Sequence, residues 1–402
     1  MSVEFEPIVK DIWRRLRRER RVERGPWQYV VRPERLHAGV RVTPLKNGEE
    51  AFPAMLQAIA SAQRCVLVEM YIWQDDVTGN RFREALVERA LSGCAVRVLF
   101  DAIGSFSLPS AFVDSMRQAG IEVIEFHPVA PWRPRWGLNQ RDHKKILVVD
   151  DRIAFTGGIN FADENLSPEN GGRGWFDWHV AVEGLVVRDL AQTFLHTWIK
   201  SGGVPFVTAY QRTEPLGHTA LGVQVISNVR LKDRWRMQRA YLWAIRNAER
   251  RIDVMNAYFI PERGLRNAFA EAVQRGVSVR VIVPSVSDVP AVAHASRHLH
   301  KRLIQRGVRI LEWPKEHMMH AKIGVIDGMW STIGSYNLDH RSLQHNLEVG
   351  LVVVDERLGR ELGDQFERDL RLCTEVTLQE LESRTWWQRF LDWFWYQLRA
   401  QL

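Results

Sequence analysis

The chain has 402 residues, 46% of them hydrophobic, enough for two domains with buried cores. Lys and Arg exceed Asp and Glu by 55 − 48 = 7, which suits a phosphate-rich partner, either nucleic acid or an anionic membrane surface. Three distant cysteines (Cys65, Cys94 and Cys373) argue against a disulfide framework or zinc site, and no run reaches the roughly 18 apolar residues of a spanning helix.

The first element expected is a basic amphipathic segment over 1–37. Phe5, Ile8, Val9, Ile12, Trp13 and Leu16 recur at helical spacing, and Arg14, Arg15, Arg17 and Arg18 crowd the remaining positions. Such a helix serves either as an anchor on anionic lipid or as a cover for the fold. It has no signal-peptide apolar region, which points to the cytoplasmic face.

From there the chain repeats itself. LQAIASAQRCVLVEMYIW (56–73) has the pattern of a helix followed by a strand, and LWAIRNAERRIDVMNAYF (242–259) has it again. ALSGCAVRVLFD (90–101) parallels AVQRGVSVRVIVP (272–284), and AGIEVIEFHP (119–128) parallels RGVRILEWPK (306–315). Helices alternating with strands imply an α/β fold with helices on the faces of a sheet, and a repeat this long implies two duplicated domains. The expected boundaries are 38–215 and 216–380, joined through a Gly- and Pro-containing linker at 200–220. The first half carries inserts at 129–142 and 161–176. A terminal helix over 381–402 follows. Trp387, Phe390, Leu391, Phe394 and Leu398 form its stripe, Trp386 and Trp393 lie beside it, and Arg384, Arg389 and Arg399 lie on its polar side.

Each half closes on the same chemistry: HKKILVVD (143–150) and HAKIGVID (320–327). Residues i and i+2 of a strand share a face, so His143 projects with Lys145 and His320 with Lys322. Asp150 and Asp327 fall at hairpin turns and belong to the signature, although that position suits holding the turn better than catalysis. Each hairpin returns to GGIN (157–160) or GSYN (334–337), bringing Asn160 and Asn337 back toward the histidines. Lysine and asparagine supply a charge and N–H donors to phosphoryl oxygens, and histidine can be nucleophile, acid or base. Two half-sites facing each other would place two imidazoles and four donors around one phosphorus. The repeat also aligns Asp177 with Glu348, one carboxylate per half for orienting an imidazole. The halves differ at Gly158 and Ser335, so a phosphate-binding role for the Ser335 hydroxyl would belong to one half only. HMMH (317–320) is a weak metal pair without a third ligand, and no carboxylate cluster suggests magnesium or calcium. The chemistry is expected to need neither metal nor cofactor.

The doubled HxKxxxxD with downstream Gly and Asn resembles the phospholipase D superfamily over about residues 40–375. VEMYIWQDD (68–76), MNAYFIP (255–261), HMMHAKIGVIDGMWSTIGSYNLDHRSLQHNLE (317–348) and RTWW (384–387) make it most similar to the short bacterial cardiolipin synthases. The resemblance implies two tandem α/β domains related by a pseudo-twofold axis. It implies that His143 attacks the phosphorus of phosphatidylglycerol and forms a phosphohistidine, with His320 as acid and then base. Lys145, Lys322, Asn160 and Asn337 would hold the oxygens, and Asp177 and Glu348 would orient the rings. One chain contains both half-sites, so a monomer suffices, peripheral to the inner membrane. The motifs do not separate transfer to a second lipid from hydrolysis by water. A nuclease of the same superfamily is the alternative of another class, against which stand the absence of a nucleic-acid module and the Trp-rich end.

Overall fold

The computed structural model describes residues 25–133, 135, 137–208 and 217–402. The expected N-terminal amphipathic helix falls on residues 1–24, outside the described residues, as does part of the linker.

Two mixed sheets carry the chain. The first comprises β1 (Arg41–Lys46), β2 (Cys65–Met70), β3 (Ala95–Asp101), β4 (Glu122–Phe126), β5 (Ile146–Val149), β6 (Ile153–Gly157) and β7 (Trp178–Glu183), in the spatial order β1-β7-β6-β5-β2-β3-β4. The second comprises β8 (Gly222–Ser227), β9 (Arg251–Asn256), β10 (Ser278–Val283), β11 (Arg309–Glu312), β12 (Lys322–Ile326), β13 (Trp330–Gly334), β14 (Val349–Val354) and β15 (Thr374–Glu375). Its order, β8-β14-β13-β12-β9-β10-β11, repeats the first and adds β15 at the edge. This is the duplicated α/β architecture that the repeat implied. β2, β3 and β4 run parallel, as do β9, β10 and β11, because helices make the crossovers between them. β5 and β12 then join antiparallel as the first arms of hairpins.

The apolar residues separate into three layers. One core lies outside each sheet, under that domain's own helices. The third lies between the domains and mixes the two halves: Val148, Val180 and Phe194 meet Ile323, Val349 and Leu351. Continuous burial of ILVV and of β12 follows, since both faces of each central strand are covered.

The two turn aspartates act as clamps. Asp150 and Asp327 adopt φ of 53° and 54°, a left-handed conformation that Asp tolerates better than most residues. The Asp150 carboxylate accepts from the backbone N–H groups of Gln63, Arg64 and Cys65 at 2.8–2.9 Å. Asp327 accepts from Glu249, Arg250 and Arg251 at 2.7–2.8 Å and from the Tyr29 hydroxyl at 2.9 Å. Each therefore ties its hairpin to the start of β2 or β9, at the opposite end of the strand from its histidine, and neither meets the other site residues. Their grouping with the catalytic residues is corrected accordingly.

Residues 26–37, which close the expected N-terminal segment, lie on the second domain. Besides the Tyr29 contact, the Trp243 indole donates to the Gln28 carbonyl and His37 bridges Val223. At the other end, the helix Trp386–Gln397 lies along the helix Pro290–Ile304 with Asp392, Trp395 and Tyr396 inward. Asp392 is buried, accepting from His294 at 2.7 Å and pairing with Arg384 at 3.2 Å. The aromatic stripe faces away from the protein.

Asp327→Ala should lower stability by on the order of 3 kcal/mol, because charge-assisted bonds to several backbone donors are lost together. Thermal denaturation should show the loss, while turnover per folded molecule stays near that of the wild type. A kcat collapse at unchanged stability would return Asp327 to the catalytic set.

Candidate active site between the two domains

The two signature histidines do not sit in strands as their spacing suggested. β5 begins at Ile146, and His143 and Lys145 occupy the extended approach to it; Lys322 opens β12, with His320 before it. Their backbone partners explain this. The His143 N–H donates to the Leu347 carbonyl at 2.9 Å, and the Leu347 N–H donates to Arg141 at 2.8 Å. In the other half, the His320 N–H donates to Phe176 at 2.7 Å, and Phe176 donates to Met318 at 2.8 Å. Each histidine segment thus pairs with the opposite domain, at the residue just before the opposite carboxylate.

The carboxylates are exchanged in the same way. His143 Nδ1 lies 3.0 Å from Glu348 Oε2, and His320 Nδ1 lies 2.7 Å from Asp177 Oδ2. The repeat revealed one carboxylate per half; only the fold shows that each serves the other half's imidazole. With Nδ1 engaged, Nε2 is the nitrogen left to each ring.

All four cationic and amide residues are buried beside the rings. Lys145 Nζ donates to its own half's His143 carbonyl at 2.8 Å, and Lys322 Nζ donates likewise to that of His320. Asn160 Oδ1 accepts from Ile72 N at 3.2 Å and Asn337 Oδ1 from Tyr258 N at 3.3 Å, which leaves both NH₂ groups for a ligand. Burial and the opposing Lys322 charge hold the Lys145 ammonium down to about 7. Burial also lowers Lys322, against the pull of Asp177 and Glu348. Two ammonium groups that repel in a buried site are arranged to receive an anion, whose charge would restore both.

The half-sites are electrostatically unequal. Burial would raise Asp177, but the Lys322 charge and the His320 hydrogen bond outweigh it and keep the carboxyl below its ordinary range. Burial pushes Glu348 up to about 7, although donors from Ser335, Ser342 and Asn346 oppose the rise. His143 is held well below its ordinary value by burial and then by Lys145, Lys322 and His320. His320 is lowered by burial and Lys322, while Asp177 pulls it back. Both rings are thus held below the ordinary imidazole range, and only His320 faces a carboxyl that is itself held below its ordinary range.

The Gly158/Ser335 difference belongs to this asymmetry. A side chain at 158 would place its Cβ onto both Asp177 carboxylate oxygens, so glycine makes room for the shorter acid to pair. In the other half, the Ser335 hydroxyl donates to Glu348 Oε2 and holds the longer acid in place. The phosphate-binding role expected for Ser335 is replaced by this one, because its hydroxyl is already committed.

Sequence patterns missed several neighbours. The Tyr71 ring packs on His143 with centroids 4.7 Å apart, and Trp175 and Tyr258 flank His320 at 5.5 and 6.3 Å. Tyr71 precedes Ile72, whereas Tyr258 is itself the partner of Asn337, so the tyrosines occupy different register positions and the repeat could not pair them. Asn228 holds the Glu348 arm by accepting from its N–H at 2.6 Å. Beneath His143, buried Lys144 pairs with Glu69 and bonds Thr197 Oγ1 at 2.6 Å.

Paired His/Lys/Asn half-sites across a pseudo-twofold interface define a phosphoryl-transfer site of the phospholipase D type. The fold agrees: a phosphatidylserine synthase structure from Haemophilus influenzae Rd KW20 superposes with a TM-score of 0.68 at 14% identity, covering 90% of this chain and 95% of that one. A polyphosphate kinase from Porphyromonas gingivalis aligns with a TM-score of 0.57 at 16% identity, over 84% of this chain and 48% of its own. The family model described as cardiolipin synthase, PLD-like domain, matches residues 55–196 and 241–370. Cardiolipin synthase B of Salmonella typhi is 34% identical over 363 residues, 87% of this chain and 85% of that protein. Cardiolipin synthase of Geobacillus thermodenitrificans is 32% identical over 351 residues, 87% of this chain and 70% of its own. The chain belongs to the cardiolipin synthase family, the phosphatidyltransferases of the phospholipase D superfamily.

Because Glu348 is raised from 4.5 to about 7, the folded state holds a proton there that the unfolded chain has released, so its contribution falls as pH rises between those values. Glu348→Gln should remove that decline, a difference on the order of 3 kcal/mol across the window. Denaturant titrations of both proteins at pH 4.5 and 7.5 measure it; parallel pH profiles would refute the raised carboxyl. Gly158→Ser should push Asp177 off His320 and lower kcat by on the order of 10²-fold, with KM changing much less. Steady-state kinetics of that variant showing a KM effect alone would place Gly158 in binding instead.

Proposed function

We propose that this enzyme transfers a phosphatidyl group from one phosphatidylglycerol to the hydroxyl of a second through a phosphohistidine. His143 Nε2 attacks phosphorus, the bond to the headgroup glycerol breaks, and His320 gives that oxygen its proton. The hydroxyl of the second lipid then passes its proton to His320 and attacks, the phosphorus–nitrogen bond breaks, and cardiolipin and glycerol leave. The observation that carries this division of labour is the unequal pair of carboxylates. A neutral His143 keeps its lone pair for attack, and ionised Asp177 supports the proton on His320. Lys145, Lys322 and the NH₂ groups of Asn160 and Asn337 surround the place where charge develops on the phosphoryl oxygens.

Lipid transfer fits this chain better than attack on a nucleic acid because of what surrounds the site. Loops at the carboxyl ends of the parallel strands present Phe106 and Trp132, 80% and 85% exposed. The helix Trp386–Gln397 presents Trp386, Trp387, Phe390, Trp393 and Phe394 to solvent. Arg341 joins the two regions, donating to the carbonyls of both Gln401 and Asn139 at 3.2 Å. Aromatic side chains of this kind settle at the lipid–water boundary. No helix of the described residues is long and apolar enough to cross a membrane, and the aromatic surface supports peripheral attachment with the site turned toward lipid.

Purified protein given labelled phosphatidylglycerol in vesicles should produce cardiolipin and equimolar glycerol; phosphatidic acid as the sole product would make it a hydrolase. His143→Ala should abolish both turnover and the acid-labile phosphoenzyme. His320→Ala should lose far more rate with a glycerol ester than with a p-nitrophenyl ester, and equal losses would refute its acid role. Trp386→Ser with Trp387→Ser should reduce vesicle partitioning at least about 10-fold, from the apolar area removed. Sedimentation with vesicles checks this, and unchanged partitioning would remove the helix from the membrane surface.

A further inference from the structure

A cavity of the described residues lies apart from the catalytic site. A groove of about 710 Å³ lies between the helix Val186–Lys200 of the first domain and β8 with the helix Arg236–Arg246 of the second, and residues 29–35 close one side. None of the catalytic histidines, lysines or asparagines lines it.

Its chemistry is one-sided. Arg32, Arg35, Arg230, Lys232, Arg236 and Arg239 converge on it from three separate elements, against only Asp189 and Asp233. Both acids are engaged: Asp189 Oδ2 sits 2.8 Å from His37 Nε2, and Asp233 Oδ1 sits 3.7 Å from Arg236 Nη1. Among the described residues, no carboxylate forms an ion pair with Arg32, Arg35 or Arg239. Burial lowers Arg236 against the pull of Asp233, and the charges of Arg35 and Arg32 lower it further. Arg32, Arg35, Arg230, Lys232 and Arg239 are exposed around a partly buried Arg236, so their charged ends are free to turn onto one anion in the groove. The floor includes Val225 and Val352, so the groove joins a basic rim to an apolar base.

We propose that this groove is a second anion-binding site, which takes a phosphate-bearing ligand through arginine forks, independently of the catalytic centre. Guanidinium groups bind phosphate oxygens in pairs, and a concave site lets several reach one group. Two sources share this chemistry: the phosphodiester of an anionic phospholipid, whose glycerol backbone the apolar base would accept, and a free polyphosphate. The site also has a physical route to the reaction. Ser227 and Val229 line the groove, and Asn228 between them holds the Glu348 arm that pairs with His143.

The test is a binding measurement that needs no turnover and therefore stands apart from the proposed reaction. Calorimetric titration of the full chain with pyrophosphate at low salt should show two classes of site. Arg32→Ser/Arg35→Ser/Arg239→Ser should weaken one class at least about 10-fold, equivalent to 1.4 kcal/mol, and leave the other intact. Lys322→Met should do the reverse. Arg239→Glu alone, an exposed single change, repeats the test if the triple variant is unstable. Repeating the titration with short-chain phosphatidylglycerol below its micelle concentration identifies the source. An arginine-dependent class that prefers this lipid supports the lipid phosphodiester, and one that prefers pyrophosphate supports the free anion. A single class of sites, or isotherms that the arginine substitutions leave unchanged, would overturn the proposal.

Discussion

The structure depends on an exchange of carboxylates across the domain boundary. Glu348 of the second half pairs with His143 of the first, and Asp177 of the first pairs with His320 of the second. Neither half-site is complete within its own domain. The interdomain core therefore does more than bury apolar area: it sets the distance at which each acid meets its ring. A separated domain would leave a histidine without its partner and a buried acid without its base, and the second loss is the more costly.

This exchange also accounts for how a duplicated chain comes to have two different histidines. Identical half-sites would titrate identically, and neither ring would be favoured for attack. The departure from identity is small. An aspartate reaches across the space above Gly158, and a longer glutamate is braced by Ser335. The shorter acid stays ionised beside Lys322, and the longer one is pushed up by burial. One methylene and one hydroxyl thereby give the two imidazoles unequal carboxyl partners.

The surroundings extend the same economy of placement. Parallel strands end together, and the loops that follow them carry Tyr71, Phe106 and Trp132 at the same end of the sheet, Tyr71 packed on His143. The terminal helix buries Asp392 and Tyr396 and packs Trp395 on the core, while Trp386, Trp387 and Trp393 are exposed, more apolar surface than a helix that serves only to complete a core would leave outward. The basic groove is lined by Ser227 and Val229, and Asn228 between them accepts from the Glu348 backbone N–H.

Much was already legible in the linear chain. The spacing of His, Lys and Asn is carried by strand and hairpin periodicity, which is local, and the repeat shows that it occurs twice. The family and the α/β class follow from these patterns. The amphipathic stripe expected within 1–37, from Phe5 to Leu16, lies outside the described residues. What the chain could not specify was anything that depends on which half faces which. The partner of each carboxylate, the true task of Ser335 and the placing of residues 26–37 on the second domain are contacts between residues far apart in sequence, with no periodicity to announce them. The turn aspartates show the same limit from the other side. Their spacing from the histidines is constant because a strand of fixed length separates them, and that strand carries Asp150 and Asp327 away from the chemistry. Sequence determined which residues recur; the packing of two domains decided which of them meet, because burial and charge act through space.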